Sequence, residues 1–127
     1  TALTKPTIFI EIGTTQKQWT DVSLCESVAN LVHKVFVNKL PENPMAICFG
    51  GTHYSTKFTH ELLEGKFALG TVIPKHALDE LDEELFSHII KQNKMAKYAL
   101  LDWRGLGANK QKILELLKST SLEIIKL

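Results

Sequence analysis

The sequence predicts an α/β fold: a three-layer α/β/α domain built on a mainly parallel sheet of roughly five strands. Two observations predict it. Short runs rich in β-branched and aromatic residues alternate along the chain with segments of helical period, the pattern of right-handed βαβ units. Twice a strand runs straight into a glycine-containing turn and then a helix, at Gly50-Gly51 and at Arg104-Gly105-Leu106-Gly107.

Thr7-Ile8-Phe9-Ile10-Glu11-Ile12 reads as the first strand and ends at Gly13. Its one charge, Glu11, is costly near a central strand unless it is solvated, paired or used. From Ser23, residues Cys25, Val28, Ala29, Val32, Val35 and Phe36 recur at helical spacing, with Ser23-x-x-Glu26 as a capping-box candidate. His33 lies near this apolar face and reads as a packed or surface histidine rather than a ligand. Pro41 and Pro44 end the segment.

Met45 to Phe49 reads as a buried strand, broken by Gly50 and Gly51. A short helix begins near Ser55, takes its apolar side from Phe58, Leu62 and Leu63, and stops at Gly65. Phe67 to Ile73 is the third strand, followed by Pro74-Lys75-His76. Leu78, Leu81, Leu85, Phe86, Ile89 and Ile90 mark one amphipathic helix whose acids, Asp79 to Glu84, read as a solvated helix start. Lys97 to Trp103 is the fourth strand. Ile113, Leu116 and Leu117 define the last helix, and Ser121 to Leu127 the fifth strand. With no repeat and no low-complexity linker, residues 1–127 are expected to form one domain.

Bulk properties narrow the class. Of 127 residues, 44% are hydrophobic and 23% charged, ordinary values for a globular chain. A formal net charge of +1 gives no overall positive field, so any nucleic-acid binding must use a local patch. No apolar run approaches the roughly 18 residues that span a bilayer, and nothing resembles a signal peptide, so a cytoplasmic location without membrane partners is expected. Cys25 and Cys48 both sit in apolar runs and are expected to be buried thiols rather than a disulfide or a metal pair.

In open α/β sheets, ligands bind beyond the carboxyl ends of the strands. Glu11 with Gly13-Thr14-Thr15 follows the first expected strand, and Gly50, Gly51, Thr52, His53 and Tyr54 the second. Pro74, Lys75 and His76 follow the third, and Asp102, Trp103, Arg104 and Gly105 the fourth. The glycines permit close approach of a ligand, and the amides at the start of the next helix favour an anion. Two histidines and two carboxylates on one edge allow acid–base work or a zinc site, although no H-E-x-x-H or C-x-x-C spacing supports the metal. Cys48 lies inside a strand, which argues against covalent catalysis. Lys57, Lys75 and Arg104 are candidate phosphate contacts, with Tyr54 or Trp103 as a stacking surface. An ordinary βα turn bearing a solvated histidine is the plain alternative.

Phe9-Ile10-Glu11-Ile12-Gly13-Thr14-Thr15 with Trp19, and Phe49-Gly50-Gly51-Thr52-His53-Tyr54 with Lys57-Phe58-Thr59, resemble the D-aminoacyl-tRNA deacylases of the archaeal and plant type. Gly70-Thr71-Val72-Ile73-Pro74-Lys75-His76-Ala77-Leu78 and Asp102-Trp103-Arg104-Gly105 match the same family in the same order. The resemblance covers nearly the whole chain but only the C-terminal half of the family's usual length, so a preceding α/β half is expected in the longer protein. It implies a phosphorylase- or hydrolase-like scaffold, zinc as cofactor, and hydrolysis of the ester joining a D-amino acid to tRNA, a step of translation quality control. Combined with the edge residues, it makes His53 the first candidate for general base or metal ligand, His76 a further metal ligand, and Glu11 the group that orients His53 or the water. Gly50, Gly51, Thr52, Tyr54, Lys57, Lys75 and Arg104 are the expected substrate contacts. Two rival readings are a non-catalytic RNA- or partner-binding domain and an unrelated amidohydrolase. Apolar residues around Phe9, Phe67 and Leu127 lead to an expectation of self-association, or of contact with the preceding half.

Overall fold

The computed structural model describes residues 10, 12–13, 15–39 and 41–127, which fall into two compact units divided after Pro41. The first expected strand lies largely outside them. Its described members, Ile10 and Ile12, are in no strand, and Glu11 is not described.

In the first unit, helix α1 (Gln16–Trp19) is held by a capping box of Thr15 and Gln18. Thr15 Oγ1 accepts from the Gln18 amide at 3.4 Å, and the Thr15 amide donates back to Gln18 Oε1 at 3.1 Å. Helix α2 (Val22–Val37) begins at Asp21, whose carboxylate accepts from the Leu24 amide at 3.2 Å. Asp21 therefore caps this helix, and the expected box at Ser23 and Glu26 lies inside its first turns. None of the α2 side chains is buried; Phe36 is 84% exposed, and Leu31, Val35 and Val37 are exposed with it. Cys25 is exposed as well, contrary to expectation, because the α2 stripe that carries it is left uncovered.

The second unit contains the sheet. Its strands are β1 (Met45–Phe49), β2 (Ala68–Ile73), β3 (Ala96–Leu101) and β4 (Glu123–Lys126), all parallel in the order β2-β1-β3-β4. Four strands are thus found among the described residues, where five were expected. Helix α3 (Thr56–Leu63) joins β1 to β2, α4 (Glu83–Gln92) precedes β3, and α5 (Lys110–Lys118) precedes β4. Alternation along β1 divides the core. Ile47 and Phe49 face α4 and α5 in a cluster with Phe86, Ile89, Ile113 and Leu117. Ala46 and Cys48 face the other way, toward Phe58 of α3 and Leu100. The layers are α/β/α, as the sequence predicted.

Two boundaries move. The expected helix over Leu78 to Ile90 is split: Lys75–Ala77 form a short 3-10 turn, and α4 starts only after its cap Asp82. Leu78 and Leu81 are fully buried in the intervening turn, so their spacing reflects core contact rather than helix. Asp79 in that turn accepts from Asn109 Nδ2 at 2.7 Å, and Lys112 Nζ donates to the Leu78 and Asp79 carbonyls at 2.9 Å each. The acidic run is therefore partly an anchor for α5. The fourth expected strand ends at Leu101, which leaves Asp102 and Trp103 in the turn.

Candidate active site

Because the four strands are parallel, their carboxyl ends share one edge, and His53, His76 and Arg104 lie there in the loops after β1, β2 and β3. All three side chains are exposed. Glu11 falls outside the described residues.

Main-chain bonds knit these loops. The Gly50 amide donates to the Ile73 carbonyl at 2.8 Å, Lys75 to Gly51 at 2.9 Å, and Asp102 to Phe49 at 3.0 Å. Gly50 and Gly51 hold φ of +94° and +79°, a region where a side chain is strained. A Cβ on Gly105 would stand 2.6 Å from the Gly51 nitrogen and press on the Asp102 carboxylate. The two glycine turns recognised separately in the sequence therefore touch, backbone against backbone. The amides of Gly51, Thr52 and His53 donate to no other described residue, whereas that of Gly50 is committed to Ile73.

Thr52 Oγ1 donates to the Tyr54 carbonyl at 3.0 Å and tightens the loop bearing His53. The rings of His53 and Tyr54 meet edge to face at 4.8 Å. Tyr54 is 85% exposed, so its outer face is open to a base. Ser55 then caps α3, its hydroxyl accepting from the Phe58 amide at 3.5 Å.

Lys57, an expected phosphate contact, is held elsewhere. Its Nζ donates to Asp102 Oδ1 at 2.7 Å and to the main-chain oxygen of Leu127 at 2.8 Å, tying α3 to the turn after β3 and to the end of β4. Asp102 was noted in the sequence as an edge residue and given no role. Its partner lies 45 positions away, so no local spacing could have revealed the pair. Burial by itself would raise the Asp102 carboxyl, but hydrogen bonds from Lys57 and from the Gly105 and Arg104 amides, with the charge of Lys57, outweigh it and hold it below the usual range. A depressed folded-state value means stability that is complete above the unfolded value, about 3.9, and lost as pH falls through the folded one. Urea midpoints measured between about pH 5 and 2 should therefore fall less steeply in Asp102→Asn than in the parent. Equal slopes would show that the pair does not contribute.

Trp103, offered above as a stacking surface, packs against the core cluster, and Lys126 and Lys110 place their Nζ atoms 4.0 and 5.2 Å from its ring centre. Tyr54 is thus the open aromatic surface at the edge. Burial pushes the Cys48 thiol up to about 12, leaving it a core residue and no nucleophile. Among the described residues no three His, Cys, Asp or Glu side chains cluster in a way that could hold a metal, so they do not by themselves fit the zinc that the resemblance implies. A groove of about 610 Å³ opens between α4 and α5, lined by Phe86, Ile90, Lys91, Leu116 and Thr120 among others. It carries no histidine and lies on a helical face, away from the loops just described.

The family model for D-aminoacyl-tRNA deacylase matches residues 1–125. The chain belongs to the D-aminoacyl-tRNA deacylase family. It is 50% identical over 125 residues to a D-aminoacyl-tRNA deacylase of Cenarchaeum symbiosum, covering 98% of this chain and 48% of that protein. It is 35% identical to one from Methanosarcina mazei, covering 99% and 41% respectively, and 32% identical to one from Methanocaldococcus jannaschii, covering 97% and 49%. The chain spans about half the length of the curated relatives it matches. A crystal structure of a conserved protein of unknown function superposes with a TM-score of 0.75 at 24% identity, over 90% of this chain and 40% of that one, and so supports the fold. In this deacylase-family chain, the Gly50–Tyr54 and Asp102–Gly105 stretches that carried the resemblance are the two turns in contact at the sheet edge.

Proposed function

We propose that this chain supplies the ester-cleaving edge of a D-aminoacyl-tRNA deacylase, releasing a D-amino acid and tRNA. The observation that carries this reading is the Gly50-Gly51 turn, followed by amides that donate to no other described residue and by His53, in a chain of the deacylase family. His53 removes a proton from water as the water oxygen attacks the ester carbonyl carbon. The charge that develops on the carbonyl oxygen faces the exposed amides of Thr52 and His53, the role of an oxyanion hole. Collapse breaks the bond to the ribose oxygen, which leaves with the proton returned by His53. Tyr54 offers its face to a base, and Lys75 and Arg104 lie exposed for phosphates. Lys57 is assigned to positioning rather than to phosphate. No step is routed through zinc, for which the described residues do not supply a donor set.

The test is hydrolysis of matched D- and L-aminoacyl-tRNA by the protein at its full encoded length. Release of the D-amino acid at a rate well above that of the L form is expected. Tight tRNA binding without hydrolysis would replace this reading with that of an RNA-binding domain. No helix among the described residues is long and apolar enough to cross a membrane.

We further propose that the chain self-associates through its exposed apolar side chains, of which Phe36 on α2 is among the most open. Sedimentation should be concentration-dependent and become less so in Phe36→Lys. A monomer at every concentration would remove the proposal.

A further inference from the structure

We propose that Lys110 and Lys126, converging on Trp103, seat a backbone phosphate of the RNA strand that reaches the carboxyl edge of the sheet. The proposal rests on the deacylase reading above and adds residues to it. Three elements bring the group together: Trp103 lies in the turn after β3, Lys110 is the first residue of α5, and Lys126 is the last of β4, paired with Leu101. Both ammonium groups stand within 5.2 Å of one ring centre. Attraction to the π face holds each of them there. It does not cancel their charge. Among the described residues neither lysine pairs with a carboxylate. The fold thus brings two cations, without a carboxylate partner among the described residues, to one half-buried aromatic ring, a local positive charge that favours an anion beside it.

The position identifies the anion. Trp103 is joined to Asp102, whose amide donates to Phe49 at the end of β1, and its amide donates to the Leu127 carbonyl. Two residues on, Gly105 abuts Gly51. The pair therefore flanks the glycine turn on the edge where His53 and Tyr54 are exposed. A strand entering that edge would set a base on Tyr54 and carry a phosphodiester past Trp103, as single-stranded nucleic acid does on other mixed basic and aromatic surfaces. With Lys57 committed to Asp102, this pair replaces it as the phosphate grip.

The experiment follows the Trp103 indole N–H by NMR, assigned against Trp19, while a single-stranded oligoribonucleotide ending in CCA is added to the protein at low salt. The Trp103 signal is expected to shift. In the Lys110→Gln/Lys126→Gln protein, affinity should fall at least about tenfold, and the slope of log K against log salt should become shallower by about 0.7, the value for one phosphate on a single strand. Arginine at both positions should restore binding, which separates lost charge from a damaged fold. Unchanged affinity and slope in the double glutamine variant would overturn the proposal. So would an equal shift with inorganic phosphate, or with an acidic peptide of the same charge, since neither is an RNA strand. A Trp103 shift without any D-aminoacyl-tRNA hydrolysis would remove the deacylase reading and leave the phosphate seat. Hydrolysis with Trp103 undisturbed would do the opposite.

Discussion

His53→Ala is expected to slow deacylation by at least about 100-fold, the usual cost of losing a positioned acid–base group. Two features of the loop set this expectation. His53 follows a Gly-Gly turn, and the amides of Thr52 and His53 donate to no other described residue, so base and oxyanion donors belong to one short stretch. The bond from Thr52 to the Tyr54 carbonyl and the edge contact with the Tyr54 ring restrict where the imidazole goes. Affinity for tRNA should survive the change, because nucleic-acid affinity rests mainly on phosphate contacts. Arg104→Ala should show the reverse, with weaker and less salt-dependent binding and a largely intact chemical step. Single-turnover rates at saturating enzyme separate the two effects, provided the protein is assayed at full encoded length. Near-normal hydrolysis by His53→Ala would transfer the base role, and Glu11 and His76 would be tested next.

Phe49→Ala should lower unfolding stability by about 3–5 kcal/mol, the range for removing a buried aromatic ring. Phe49 is fully buried and lies 6.2 Å, centre to centre, from Phe86 of α4, in the cluster that also holds Leu101 and Leu106. It is also the last residue of β1, and its carbonyl accepts from the Asp102 amide at 3.0 Å. A cavity there would loosen the core and the platform beneath both glycine turns. Activity should therefore decline at temperatures where the parent is unaffected. Phe49→Leu, which keeps most of the volume, should cost much less. Urea titrations with an unchanged slope and a lowered midpoint would establish the effect as one on stability. A loss below about 1 kcal/mol would mean that the site collapses around the missing ring.

Much of this could be read directly from the residues. Apolar runs with helical segments between them gave the layers and the parallel sense of the sheet, since such units close with only one hand. The glycine turns after Phe49 and Trp103 marked the edge, because residues beyond the ends of parallel strands must lie side by side. Local signals were less reliable where two of them competed. Ser23 and Asp21 could both start α2, and Asp21 won because its carboxylate reaches the Leu24 amide. Leu78 and Leu81 fitted a helical period, yet they are buried from a turn that Asp79, Asn109 and Lys112 hold in place.

What the sequence by itself determined is the fold class and the placing of His53, His76 and Arg104 in the loops at the carboxyl ends of the strands. These follow from periodicity and strand direction, which are local or topological properties. Only the tertiary structure decided the partners: Lys57 with Asp102 and the end of β4, Gly105 against Gly51, and Lys110 with Lys126 on Trp103. Each of these joins segments many residues apart, where side-chain reach and loop packing set the contact. A lysine read from sequence is a free cation until the fold places a carboxylate beside it, as Asp102 stands beside Lys57.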